Sequence, residues 1–595
     1  MKTNPRSFVE AAVRKPRCLL SSLLAMAVAL LAGAASGAEI AYKNGAWEWE
    51  DGSWEGGARP GPYDTALIPE LPILKARFDS GRMQSNGLKQ NEEIQTLRFA
   101  DLYGISVQGA AYTLTLNGVV CDDMFPTSED TARVATNRIA TSTLALKGAE
   151  AEFYVGTNHV LLLDANTLQK ADEGVRFVKT GAGTVLHAGQ AWNPTNTFWV
   201  KEGTYVRSGK SYPEFRSDIV VGGAGKDAVL SVLPSADQAL VQATTVIDIR
   251  EKGRLELPAL GKYYYLETRK IDHGVLDGGG DTAFCMSNQG ATECGTEYTL
   301  DGATVTNASL VVVWQGLLTI VPADIPSAIY GSLSFNTGYD IDVPDGAAPV
   351  DFLVSGNVVG SNRGIHKAGA GTMLIRCEDH IDTWGGTAGR AFNVYNGALF
   401  LESGDDGIGM GTNNVVVAAG ATYGGVGRHV GAPVPNRGLI GNVTLNGTSS
   451  ARASFVPGRI DPATGAIAPG TYYMGNSEQT NNVISTGYAE LRCHVDATGA
   501  SCLAVNGRLE LSATDRLAIV GPAKIRPGTY TLARFTNGFA NRFADVTVNG
   551  ADITSAVGSV SYLDAQGEPI AAASYDGAGS IVFTVHEKGT VIVIR

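Results

Sequence analysis

The sequence predicts an all-β chain wound as a β-solenoid, and three observations carry that prediction. Alternating apolar and polar residues recur throughout, as in Tyr112–Leu116, Val246–Ile249 and Val305–Asn307, which is the period of a half-buried strand. Asn-Gly and Asp-Gly pairs punctuate these runs at Asn117, Asp301, Asn396, Asn446 and Asn506, where the chain must bend. A glycine-rich motif also repeats within the chain. The 595 residues include 73 Gly, about 12% against the roughly 7% of average proteins. Outside the first residues no long apolar stripe of helical period occurs.

Composition excludes several classes. With 44% hydrophobic and 18% charged residues the chain has material for a core and is not a disordered polymer. Its glycines follow no three-residue period, so collagen is excluded. The net charge is −13 and no Lys/Arg block stands out, which argues against a nucleic-acid partner.

Residues 1–38 read as a signal peptide. Lys2, Arg6, Arg14, Lys15 and Arg17 form a basic start, Leu19–Leu31 an apolar run, and Ser36-Gly37-Ala38 a small-residue cleavage site. The apolar run is shorter than the ~20 residues of a spanning helix. Cleavage after Ala38 would leave a chain of net charge −17 with no transmembrane segment. The expectation is export to the periplasm, the cell surface or the medium.

The core of the prediction lies in residues 39–440. Lys179, Gly181, Gly183 and Thr184 open a stretch, Lys-Thr-Gly-Ala-Gly-Thr-Val-Leu, that returns as Lys367, Gly369, Gly371 and Thr372 in Lys-Ala-Gly-Ala-Gly-Thr-Met-Leu. Each is followed about 20–30 residues later by a Val-x-x-Gly pattern, at Val200–Gly203 and Val394–Gly397, a unit that suits one coil of a solenoid. Stacked coils would pair their strands in parallel at about 4.8 Å. Short runs such as Leu310–Val313 and Val415–Val417 fit strands buried on both faces. Pro457-Gly458 and Pro462–Gly470 mark a break, so residues 441–595 are expected either to continue the solenoid or to form a separate, sandwich-like β region.

The two Lys-x-Gly-Ala-Gly-Thr-x-Leu stretches resemble the autotransporter-associated β-strand repeat of bacterial passenger proteins. The Trp-rich start (Trp47, Trp49, Trp54), the segment Asp64-Thr65-Ala66-Leu67-Ile68 and the late Pro527-Gly528-Thr529-Tyr530-Thr531-Leu532 are similar to other parts of such proteins. The resemblance implies a right-handed parallel β-helix, exported and often at the cell surface, and brings no catalytic residues with it. Residues 541–595 offer only a few strands, fewer than an eight-stranded membrane barrel needs, so the expectation is a passenger-like protein without its own barrel.

Six cysteines follow the signal segment, and Cys285/Cys294 and Cys493/Cys502 share one spacing. In an exported chain this suggests two local disulfides, each worth about 2–3 kcal/mol, with free buried thiols as the alternative. Asp405-Asp406 is the candidate catalytic pair, because polysaccharide-cleaving enzymes on parallel β-helices work through paired carboxylates. No His and Arg-x-Lys set accompanies it, which favours a plain acidic turn. Asp277-Gly-Gly-Gly-Asp281 offers oxygen ligands for Ca²⁺ as a single copy, against a plain flexible turn. Cys377-Glu378-Asp379-His380 cannot all face one ion, because alternate strand residues point opposite ways. The tryptophans and Tyr263–Tyr265 could stack on sugars or, for the tryptophans, cover an end of the solenoid. No cofactor is expected. The function expected is a non-enzymatic surface, structural or adhesion protein whose partners are glycans or surface proteins, with a polysaccharide-acting or glycan-binding β-helix as the alternative.

Overall fold

A computed structural model describes residues 37–585, except 44–47, 70–82, 101–102, 123–133, 190, 194–196, 209–217, 234–246, 258–263, 266–267, 286–296, 313–316, 336–338, 357, 360–364, 378–391, 404–407, 411–413, 430–432, 435–437, 440, 476–479 and 553–559. The described residues are all β apart from two short 3-10 turns near Trp54. The chain winds so that strands far apart in sequence lie side by side. One face is a 21-stranded sheet from Glu39–Ala41 to Ser574–Tyr575, parallel at every step except the last. At about 4.8 Å per step this face runs on the order of 95 Å.

A second parallel face begins at Glu48–Trp49 and continues to Asp545–Val548. Long strands such as Ile105–Leu116 and Ala135–Leu146 bend, with a register shift, and supply rungs to both the second face and a third. In the last coils the third face is built from Thr422–His429, Thr471–Met474, Cys502–Val505 and Gly528–Phe535. Strands Gly579–Val585 and Val560–Asp564 then close it antiparallel. Parallel pairing therefore runs on past residue 441: Val415–Val417, Val443–Asn446, Val483–Gly487 and Leu509–Glu510 follow one another on the first face.

Inward side chains stack in columns, because parallel in-register strands repeat the same orientation at each rung. Ala151, Phe177, Phe198, Ile219 and Ile247 form one such column. Phe177 and Phe198 lie 5.0 Å apart between ring centroids, and Tyr205 packs 4.6 Å from Phe198. Val415 and Val417 are buried, but Val416 between them faces outward and is only half covered, so this run is not buried on both sides as predicted.

The repeated motif explains itself at the corners. Lys179 occupies an inward position, in register with Phe153 and Val200, and is fully buried. Its ammonium turns to the backbone and donates to the carbonyls of Thr180 (2.8 Å), Gly181 (2.5 Å) and, on the next coil, Glu202 (3.0 Å). Lys367 repeats the arrangement with Ala368 (2.9 Å), Gly369 (2.8 Å) and Asn396 (3.0 Å), in a column with Ile341, Val394 and Val417. Burial pulls these ammoniums down, to about 7 for Lys179 and about 8 for Lys367, while the three carbonyls at each favour the charged form. The second motif glycine leaves room for the coil below. A Cβ on Gly183 would stand 2.0 Å from the Gly156 carbonyl oxygen, and one on Gly371 2.4 Å from that of Pro344. The threonines start the strands that leave the corner: Thr184 pairs with Val160 and Thr204, and Thr372 with Ala398.

The disulfide expected between Cys493 and Cys502 is not formed; both are free, buried thiols. Cys493 lies on the core side of its strand with Leu491 and Val495, and its Sγ is 3.8 Å from the Leu532 carbonyl oxygen. Cys502 alternates with the core residues Leu503 and Val505 and so belongs to the opposite side of its strand. The two residues flank the tight Val495–Ala500 bridge, and burial holds both thiols above the usual thiol range. Cys294 and the side chain of Cys285 lie outside the described residues.

Lys179→Met should lower stability by about 1–3 kcal/mol or more, because it strands buried carbonyls. Gly183→Ala should cost about 1–3 kcal/mol through forced displacement of the neighbouring coil. Gly225, at φ +70 with no atom within 4 Å of its Cβ position, is the control. Gly225→Ala should cost only the left-handed backbone term of about 1 kcal/mol. Urea midpoints at constant slope give the comparison.

Candidate functional site

The sequence candidates come out as follows. Asp405 and Asp406 lie outside the described residues, as do His380 and its acidic neighbours and Tyr263. Asp277 is not in a flexible turn: the segment Val275–Cys285 is a strand with a register shift between Asp277 and Thr282. Its carboxylate is bonded to the Arg254 guanidinium and accepts from Asn307 Nδ2 at 3.0 Å, which commits it to the wall of the solenoid. The side chain of Asp281 is outside the described residues. Trp49 and Trp54 are fully buried, 4.8 Å apart and edge to face, with Tyr42 5.1 Å from Trp54. They cover the first coils and leave no face for a sugar. Trp47 is outside the described residues.

One cluster appears that the sequence did not single out. Asp272 and Asp301 occupy the same rung position on successive strands of the first face, with His273 beside them. Ligand atoms of these three residues lie within 4.8 Å of one another. Lys270 Nζ donates to Asp272 Oδ2 at 3.0 Å, and the His273 Nδ1 bonds Asp272 Oδ1 at 2.8 Å. Both oxygens of Asp272 are thus already engaged, and the cluster reads as an ion-pair network that relieves two stacked carboxylates. The Asp272 bond raises the His273 imidazole above its usual value.

A large concavity lies on the third face, near the end of the solenoid. It is an open groove of about 680 Å³. Its floor is a ladder of outward residues in exact parallel register: Arg428, Tyr473, Ala504 and Arg534, continued by Ser580 on the closing antiparallel strand. The inward neighbours hold this ladder in place. Tyr472 lies opposite Tyr423 with their hydroxyls 2.5 Å apart, and Leu503 and Ala533 are buried beneath the next rungs. Ala504, a methyl between two large side chains, keeps the middle of the floor low.

The groove sets cationic and polar groups into a lining that is otherwise largely apolar. The Arg428 guanidinium stands 5.3 Å from the Tyr473 ring centroid, and its buried Nε finds no acceptor among the described residues. Arg534 is exposed and makes no ion pair with a described residue. Asn506, Thr531 and Thr536 add amide and hydroxyl groups to the wall. The one carboxylate there, Asp564, already accepts the backbone N–H groups of Gln566 and Glu568 at 2.9 and 2.8 Å. A second concavity, of about 540 Å³ beside Arg459–Ala468, has Arg376 held by Glu402 at 2.9 Å and is also lined by Arg459, Asp461 and Asp496. Sequence reasoning missed the groove because its residues come from separate coils of unequal length.

No family model matches the sequence, and comparison with curated proteins finds no match. Among the described residues no helix is long and apolar enough to cross a membrane.

A nuclear magnetic resonance titration should find His273 with a pKa above 6.5, and Asp272→Asn should return it toward that value. Because the folded value is raised, the His273–Asp272 tie is complete below the unfolded pKa and is lost as pH rises through the folded one. A wild-type His273 titrating at or below 6.5 would contradict the pairing.

Proposed function

We propose that this chain is an exported, non-enzymatic β-solenoid that serves as a structural and adhesive surface protein with glycans as partners. The observation that carries this reading is where the buried ionisable groups point. Lys179 and Lys367 cap backbone carbonyls of their own and the next coil. Arg207 donates to the carbonyls of His187 (3.3 Å) and Gly189 (2.7 Å). Glu402 bonds Arg376 and the Ile460 amide, and Asp515 accepts from Ser485, Ser512 and the Ala489 amide. These groups hold coils together; none is aimed at a reacting centre. The signal-like start, the acidic balance and the resemblance of both glycine motifs to passenger repeats support delivery to the outside of a cell.

Purified residues 39–595 should retain one or more plant, algal or host polysaccharides without releasing new reducing or unsaturated ends. Release of such ends would overturn the reading. An Asp405→Ala/Asp406→Ala double variant would then show whether that pair is responsible.

A further inference from the structure

We infer that the groove over Arg428, Tyr473, Ala504 and Arg534 binds an acidic polysaccharide segment, a uronate- or sulfate-bearing sugar chain. The inference rests on the reading of the chain as a binding surface and names the ligand class for it.

The protein carries 59 acidic against 46 basic residues, and most described arginines answer a carboxylate, as Arg98, Arg138, Arg254, Arg376 and Arg516 do. The groove departs from that rule: its two guanidiniums make no ion pair with a described residue, and Asp564, the acid among its described lining, accepts two backbone N–H groups of its own turn. A guanidinium fork fits a carboxylate or sulfate ester, and Arg428 and Arg534 are both at least partly exposed in the groove.

Geometry sets the shape of the ligand. Arg428 and Arg534 are three rungs apart, about 14 Å along the solenoid axis. Two cations at that separation do not converge on a single small anion. They suit an extended chain whose acidic groups recur along its length. Between them Tyr473 offers a half-exposed ring, Ala504 a low floor, and Asn506 and Ser580 hydrogen-bonding edges, a combination that meets sugar rings and hydroxyls. An acidic peptide would answer the arginines but would leave these hydroxyl and amide groups with less to bind. The attraction between opposite charges makes the binding sensitive to salt.

The test is binding of fluorescent oligogalacturonate and dextran sulfate, each against its neutral counterpart (methyl-esterified oligogalacturonate and dextran), with poly-glutamate as the peptide arm. The expected result is binding of the two acidic sugars, weakened by added salt and about tenfold weaker in Arg428→Gln and in Arg534→Gln. Ala504→Phe keeps both charges and a good strand residue but fills the floor, and it should weaken binding comparably while the melting temperature stays near that of the wild type. The inference is overturned if no acidic sugar binds, if neutral counterparts or poly-glutamate bind as tightly, or if all three variants bind like the wild type. In the last case the protein still adheres, and the adhesive reading stands without this groove. If the acidic sugars are bound and cut, the groove stands and the non-enzymatic reading falls.

Discussion

The architecture depends on one interaction, a buried cation that collects the carbonyl groups of a coil corner. Where a parallel coil turns, several backbone oxygens point inward without strand partners, and leaving them unpaired in a dry interior would be costly. Lys179 and Lys367 solve the problem in the same way, each ammonium spanning two oxygens of its own corner and one of the next. Arg207 does so with one guanidinium nitrogen. The third bond in each lysine site ties successive coils together, so the same group satisfies a corner and fixes the stacking of the next one. Glycines then follow as a necessity. Gly181 and Gly369 carry φ of 74 and 76 at the corner itself, and Gly203 and Gly397 do the same one coil later.

This logic decides what the sequence could reveal. The motif residues were legible because they answer a local demand: the lysine, the left-handed glycine and the close-packed glycine sit within a few residues of one another. The strand period was legible for the same reason, although Val416 shows that an unbroken valine run can still alternate between core and exterior. What depends on register between coils was not legible. Asp277-Gly-Gly-Gly-Asp281 has the composition of a turn, yet pairing with Thr304–Val312 draws it into a strand and gives Asp277 to Arg254 and Asn307. Cys493 and Cys502 have the spacing of a short loop and flank one at the Val495–Ala500 bridge, yet both remain thiols. The groove on the third face is the extreme case, because Arg428, Tyr473, Ala504 and Arg534 meet only through the lengths of the coils between them.

The same residue types do different work by position. An inward cation meets only carbonyls and becomes part of the scaffold. An outward one on the flank usually finds a carboxylate one rung away, as Arg98 finds Asp122 and Arg516 finds Asp545. The short alternation of opposite charges along these ladders keeps a chain with a large net negative charge from repelling itself along its axis. In the groove that alternation lapses among the described residues in favour of positive charge.

The two ends of the stack differ in a way that bears on growth. Tyr42, Trp49 and Trp54 seal the first coils with aromatic rings. At the other end the polarity of the strands reverses: Phe539 pairs antiparallel with Tyr575, and the strand Gly528–Phe535 with Gly579–Val585. A parallel stack propagates because each rung is a template for another of the same direction, which is how cross-β fibres elongate. A final rung that runs backwards presents the wrong direction to an incoming copy. In the language of polymerisation the described stack carries a chain terminator at that end.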